Sequence, residues 1–147
     1  MPLFRRPDGD LCRELAPVRR IMPYLMRGRN ESAVYHESHY DVGRVRAWLR
    51  AYNRTHESRA TLFHVVLYAS ARGLHLRPGL NRFASGGRIY QRREVSIAFA
   101  AKREMRDASP FATVKLRFGA EEPFEETVRR VAEAVEEGRF APSRRID

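Results

Sequence analysis

The sequence predicts a layered α+β domain with a largely antiparallel sheet, and three observations support this fold class. Apolar residues recur at helical spacing near the beginning, in the middle and near the end of the chain. Two later segments alternate apolar and polar residues as strands do, and a Gly-Gly pair marks a hairpin before them. The 147 residues suffice for one domain with its own core. The predicted order is helix, strand, helix, helix, three or four strands, helix.

The first and last helices are predicted from apolar stripes next to prolines. Pro17 fits the first turn of a helix, and Pro23 is expected to kink or end that helix. The last helix begins at Pro123, and Gly138 is expected to be its stop. Before and after this domain, which covers residues 17–138, we expect an irregular arm over residues 1–16 and a loose tail over residues 139–147.

Two more helices are predicted in the middle of the chain. An apolar stripe at spacings of three and four residues predicts an amphipathic helix over about residues 42–55. Residues 61–76 are the most apolar helical segment, capped by Thr61 or Ser58 and ended ahead of Pro78. We expect this helix to be central and largely buried.

The strands are predicted from β-branched and aromatic residues and from alternation. Residues 33–41 are rich in such residues and are predicted to form an early strand. The later strands are predicted on either side of Gly86-Gly87 and over residues 95–99 and 111–118, the last two joined by a turn at residues 107–110.

Composition limits the environment and the partners of the chain. It holds 28 Lys+Arg and 18 Asp+Glu, a net charge of +10, and only Lys102 and Lys115 are lysines. The arginines are scattered, which favours a dispersed, solvated positive surface over a dedicated polyanion site. The single cysteine, Cys12, excludes an internal disulfide and a cysteine zinc cage. No apolar run approaches a membrane span and no signal peptide is recognisable, so we expect a cytoplasmic protein without membrane contact.

The histidines do not predict a metal site or a catalytic centre. On a strand, His36 and His39 point to opposite faces, and on one helix His64 and His75 stand about 16 Å apart. Residues 36–41 form the densest titratable cluster, but one strand cannot supply a base, an orienting group and a nucleophile together. We therefore predict no metal and no catalytic residue.

Several segments resemble the N-terminal half of the catalytic domain of the 2-oxo-acid dehydrogenase acyltransferases, which share a fold superfamily with chloramphenicol acetyltransferase. The match begins with residues 17–26 (Pro-Val-Arg-Arg-Ile-Met-Pro-Tyr-Leu-Met) and covers about residues 14–138. Its most informative piece is the Arg-Pro-Gly-Leu-Asn step at residues 77–81, after a helix predicted to be buried. The resemblance implies a two-layer sandwich with helices on one face of the sheet. It also implies a trimer-based assembly whose subunits form a channel for a coenzyme A thioester.

The family's catalytic His-x-x-x-Asp-Gly motif does not occur in this sequence. The resemblance therefore favours a shortened, non-catalytic relative that serves as an assembly or regulatory scaffold and self-associates. The alternative is one half of a split coenzyme A-dependent acyltransferase that another chain completes, and a weaker alternative is a basic protein that binds polyanions such as nucleic acid. Candidate ligand contacts in the matching segments, each also consistent with surface ion pairing, are Arg19, Arg20, Asn30 and Asn81.

Overall fold

The computed structural model describes residues 6–26, 28–102 and 111–140, with the side chains of residues 139 and 140 left out. Within these ranges the chain forms five α-helices, one short 3-10 helix and five strands, so the predicted α+β class is confirmed. Contacts divide the chain into two compact units. The first unit takes the described residues up to Asp41 together with Leu74–Glu94, and the second takes Val42–Gly73 and the described residues from Val95 onwards.

All described strand pairs are antiparallel, as predicted, but they form two small sheets and not one. The first unit holds the sheet β1-β3-β2, made of β1 (Gly9–Leu11), β2 (Arg82–Ser85) and β3 (Arg88–Arg92). The second unit holds a two-stranded sheet of β4 (Val95–Lys102) and β5 (Phe111–Phe118). The predicted turn at residues 107–110 lies outside the described residues.

The expectation of an irregular arm over residues 1–16 is wrong for Gly9–Leu11, which forms β1 and pairs with β3. Gly9 is buried opposite Arg92, and a Cβ at this position would lie 2.8 Å from the Gln91 carbonyl oxygen and from a Phe83 ring carbon. Only glycine lets the backbone come this close. This strand is set by tertiary contact, because its three residues carry no periodic pattern of their own.

The hairpin prediction is confirmed in the first unit. β2 and β3 are joined by Gly86 and Gly87, whose φ angles are +56° and +70°, and Ser85 pairs with Arg88 across the turn. Two positive φ angles define the two-residue turn whose twist matches antiparallel strands. Tyr90 on β3 is buried and stacks on Phe83 of β2 with 5.4 Å between ring centroids.

Two helices of the first unit precede the hairpin. α1 (Pro17–Leu25) begins at a proline, as predicted, and Pro23 lies inside it two residues before its end. α2 (Arg29–Ser32) is a single turn that the sequence analysis did not predict. The 3-10 helix (Pro78–Asn81) leads into β2.

The prediction of a strand over residues 33–41 is wrong. These residues form neither a helix nor a strand, and Val34, Tyr35 and Tyr40 are 91%, 95% and 81% exposed. β-branched and aromatic residues favour a strand only where a neighbouring strand takes their backbone hydrogen bonds and a face is buried. No strand among the described residues pairs with this segment.

The second unit contains most of the buried side chains. α3 (Gly43–Thr55) and α4 (Leu62–Leu76) confirm the two middle helices, although the last three residues of α4 are counted with the first unit. Leu49, Ala60 and Val128 form the centre of a core into which further apolar side chains pack. That set comprises Val45, Tyr52, Leu62, Val65 and Phe124.

Two expectations about the second unit are corrected. α4 is not largely buried: His64, Leu67 and Ala71 are buried, but Phe63 is 46% and Val66 57% exposed. The last helix, α5 (Phe124–Phe140), continues through Gly138, which therefore does not stop it. A Cβ on Gly138 would lie 3.4 Å from side-chain atoms of β5, so this glycine allows α5 to lie close to the sheet.

Candidate functional site

A groove of about 710 Å³ in the first unit is the best-formed concave surface of the described chain. It lies between the chain that follows β1, one face of α1 and the hairpin turn, and eleven residues line it. They are Leu11, Cys12, Arg13, Leu15, Pro17, Arg20, Ile21, Tyr24, Gly87, Arg88 and Ile89. Its volume falls within the range of small-ligand and side-chain pockets.

Local sequence explains how two walls of the groove form. Arg20, Ile21 and Tyr24 are three or four residues apart and therefore share one face of α1 with Pro17. The backbone N–H of Cys12 donates a hydrogen bond to the carbonyl of Ile89 over 3.0 Å, which holds the chain after β1 against β3.

Tyr24 reaches from α1 to the hairpin turn. Its hydroxyl lies 2.7 Å from the position that a Cβ on Gly87 would occupy. The missing side chain of Gly87 therefore makes room for the ring, and this contact closes one end of the groove.

The groove is positive and partly apolar. Arg13, Arg20 and Arg88 contribute three guanidinium groups, which stay protonated at all physiological pH values, and the described lining contains no acidic residue. Leucine, isoleucine and proline side chains provide the apolar part of the wall. This combination suits an anionic group attached to an apolar body, because arginine binds carboxylates and phosphates with paired N–H donors.

The groove is built to bind and not to carry out acid–base chemistry. Its lining offers neither a histidine nor a carboxylate that could accept a proton from a substrate. Cys12 is half buried at the edge of β1 and is the single thiol of the chain. A nucleophilic thiol requires a neighbouring base, and the described lining does not supply one.

The structure separates the four predicted ligand contacts. Arg20 lines the groove, whereas Arg19 is exposed on α1 and does not line it. Asn30 is exposed on the single turn of α2. Asn81 has a structural position, because its side-chain amide donates to the carbonyl of Glu94 over 3.0 Å.

The histidines do not converge on one site. In the exposed segment, His36 contacts the Ser38 hydroxyl at 2.7 Å and His39 lies 3.2 Å from a Glu37 carboxylate oxygen. His64 is buried at the start of α4, where Nδ1 accepts a hydrogen bond from the backbone N–H of Thr61 over 3.1 Å. Burial lowers the pKa of His64 below its ordinary value, which keeps the ring neutral and able to accept.

The described residues show neither a metal cluster nor a membrane helix. No group of three or more His, Cys, Asp or Glu side chains within them is arranged to hold a metal ion. Among the helices in the described ranges, none is both long and apolar enough to cross a bilayer.

Sequence reasoning missed most of the groove. Cys12, Arg13 and Arg88 were not predicted to bind a ligand, since they come from segments 75 residues apart that only the pairing of β1 with β3 brings together. The available signal was the mixed face of α1, where Arg20 stands between apolar neighbours three and four residues away.

Comparisons with known proteins do not add a family assignment. Neither the protein-family models nor the curated proteins compared with the chain give a match.

Proposed function

We propose that this chain is an assembly or regulatory scaffold that self-associates through its first unit and is built on a chloramphenicol acetyltransferase-like fold. The observation that supports it is the contrast between the two units. Among the described residues of the first unit, only Gly9 and Tyr90 are buried, so a single large side chain forms its interior. The second unit buries a connected core that includes Leu49, Leu67 and Val128.

The first unit exposes the apolar residues that a core would normally take up. They occur on α1, in residues 33–41 and around the 3-10 helix, namely Val18, Ile21, Tyr24, Leu25, Met26, Val34, Tyr35, Tyr40, Leu76 and Leu80. Ordering a chain costs about 1–2 kcal/mol of conformational free energy per residue, which burial of apolar surface must offset. One buried tyrosine cannot offset that cost for a unit of this size, whereas burial of the exposed set in an interface would.

The partner most consistent with these features is a second copy of the chain. Both sheets end in edge strands with unpaired backbone groups, and the unpaired segment at residues 33–41 is available on every copy. A chain that carries both an open sheet edge and an unpaired strand-forming segment can satisfy both by association with itself.

The test is the native mass together with the local stability of each unit. We expect sedimentation equilibrium to show a homo-oligomer. Hydrogen exchange should show that the β2–β3 amides become more protected as protein concentration rises, because association stabilises only what it binds. The amides of α5 around Val128 serve as the internal control and should stay constant. A monomer at all concentrations with fully protected β2–β3 amides would contradict the proposal.

The second candidate is one half of a split coenzyme A-dependent acyltransferase. The observation in its favour is the same exposed apolar surface, which a different, complementary chain would cover equally well. Mass spectrometry of the complex purified from its own host distinguishes the two candidates. A stoichiometric second chain with a His-x-x-x-Asp-Gly segment supports the split enzyme, and a complex of this chain alone supports the scaffold.

A further inference from the structure

Residues 30–43 differ in charge from the rest of the chain. These 14 residues contain Glu31, Glu37 and Asp41 and no Lys or Arg, a net charge of −3. The chain as a whole has a net charge of +10, so the remaining residues together carry +13. The chain therefore presents one acidic segment within an otherwise basic surface.

The same segment is aromatic and exposed. Residues 33–41 are all exposed and include Tyr35 and Tyr40. In an extended chain, residues two apart share a face, so Tyr35, Glu37 and Asp41 would stand on one side. Glu37 and Asp41 would then be about 13 Å apart, with an aromatic ring on the same side. Such a face carries two carboxylates and one apolar group.

The groove has the complementary properties. Arg13, Arg20 and Arg88 provide three positive charges without an acidic neighbour in the described lining, and Leu15 and Ile21 provide apolar contact. The groove is formed by the chain after β1, by α1 and by the hairpin turn, and no residue of the segment lines it. It is therefore accessible to a segment from another copy.

We propose that the groove of one copy binds the acidic segment, residues 33–41, of a second copy. This inference rests on the proposed self-association and names the contact that produces it. The carboxylates of Glu37 and Asp41 pair with Arg13 and Arg20, and a tyrosine ring enters the apolar part of the groove. Two copies related by a two-fold axis make this contact twice, because each carries one segment and one groove.

Charge reversal on either side tests the contact. Arg13→Glu/Arg20→Glu reverses the groove, and Glu37→Arg/Asp41→Arg reverses the segment. Each double variant is expected to weaken self-association about a hundredfold, since each reversed charge at such a contact costs tenfold or more. An equimolar mixture of the two double variants should restore association, because the reversed groove then meets the reversed segment.

Matched controls separate this contact from general charge effects. Arg19→Glu changes the neighbouring residue on α1, which is exposed and does not line the groove. Glu57→Arg changes an exposed acid of the second unit. Both controls should associate like the unaltered chain. Circular dichroism of every variant shows whether it is folded.

A peptide provides an independent measurement. A labelled peptide with the sequence of residues 30–43 should bind the Glu37→Arg/Asp41→Arg protein, whose own segment no longer fits its groove. The same peptide with arginine at both acidic positions should not bind. Fluorescence anisotropy reports both results, and the Arg13→Glu/Arg20→Glu protein should fail to bind the original peptide.

The outcomes distinguish the two proposals. If the unaltered chain is a monomer, the proposed self-association is wrong and this inference fails with it. If the unaltered chain is an oligomer that neither double variant weakens, self-association stands and the segment-in-groove contact is wrong. Weakening by both double variants without restoration on mixing would also overturn the contact, because the two surfaces would then not face each other.

Discussion

Replacing Gly87 by alanine tests whether the Tyr24 ring rests on the hairpin turn and closes one end of the groove. Gly86 supplies a matched control in the same turn. Both glycines have positive φ, +56° and +70°, so alanine is strained at either position. They differ in their surroundings, because a Cβ on Gly86 meets open space whereas one on Gly87 lies 2.7–2.9 Å from three atoms of Tyr24.

The difference between the two substitutions can be estimated from the structure. Alanine with positive φ costs about 1–2 kcal/mol, and the loss of glycine's freedom in the unfolded chain offsets about 0.4–1 kcal/mol of this. Gly86→Ala should therefore cost about 1 kcal/mol. Tyr24 is 61% exposed, so about 80 Å² of its surface is buried and is worth up to about 2 kcal/mol. Gly87→Ala displaces this ring and should cost about 1–3 kcal/mol.

The assay is hydrogen exchange of the β3 amides, which reports the free energy of opening of the hairpin. Gly87→Ala should lower that free energy more than Gly86→Ala. In a Tyr24→Ala background the two substitutions should cost the same, because the ring that distinguishes them is gone. Equal costs in the unaltered background would refute the contact between α1 and the turn, and with it this wall of the groove.

Three further substitutions test the second unit, each by urea unfolding. The hydroxyl of Tyr52 is buried without a partner among the described residues, so Tyr52→Phe should leave the free energy of unfolding unchanged or raise it by up to about 1 kcal/mol; a clear loss would reveal a missed partner. Burial lowers the pKa of His64 below 6.5, so the unfolded chain binds more protons in acid and the free energy of unfolding should fall as pH drops below 6.5. His64→Gln should flatten this dependence between about pH 5 and 8, and an unchanged slope would assign it to another group. A carboxylate oxygen of Glu122 accepts a 2.7 Å hydrogen bond from Arg130 and the other accepts one from the fully buried Thr127, so Glu122→Ala should cost about 2–3 kcal/mol. The exposed Glu121→Ala is its control and should change the free energy by less than about 0.5 kcal/mol; similar costs would refute the role of Glu122.

The sequence by itself determined those features that depend on neighbours along the chain. The Gly86-Gly87 turn requires positive φ at both positions, and this requirement is local, so the hairpin was predicted correctly. The amphipathic stripe of α3 and the alternation along β5 are likewise local patterns. The fold class follows from the order of such elements, which is why α+β was predicted correctly.

Only the tertiary structure decided what each local pattern pairs with. Residues 33–41 have the composition of a strand but no neighbour among the described strands, whereas Gly9–Leu11 has no strand pattern and pairs with β3. Gly138 is typical of a helix stop, yet a close approach to β5 gives it a place inside α5. Arg20 became part of a groove because pairing between distant segments brought Arg88 to it. Backbone hydrogen bonds and close packing are satisfied between segments far apart in sequence, and no local window contains that information.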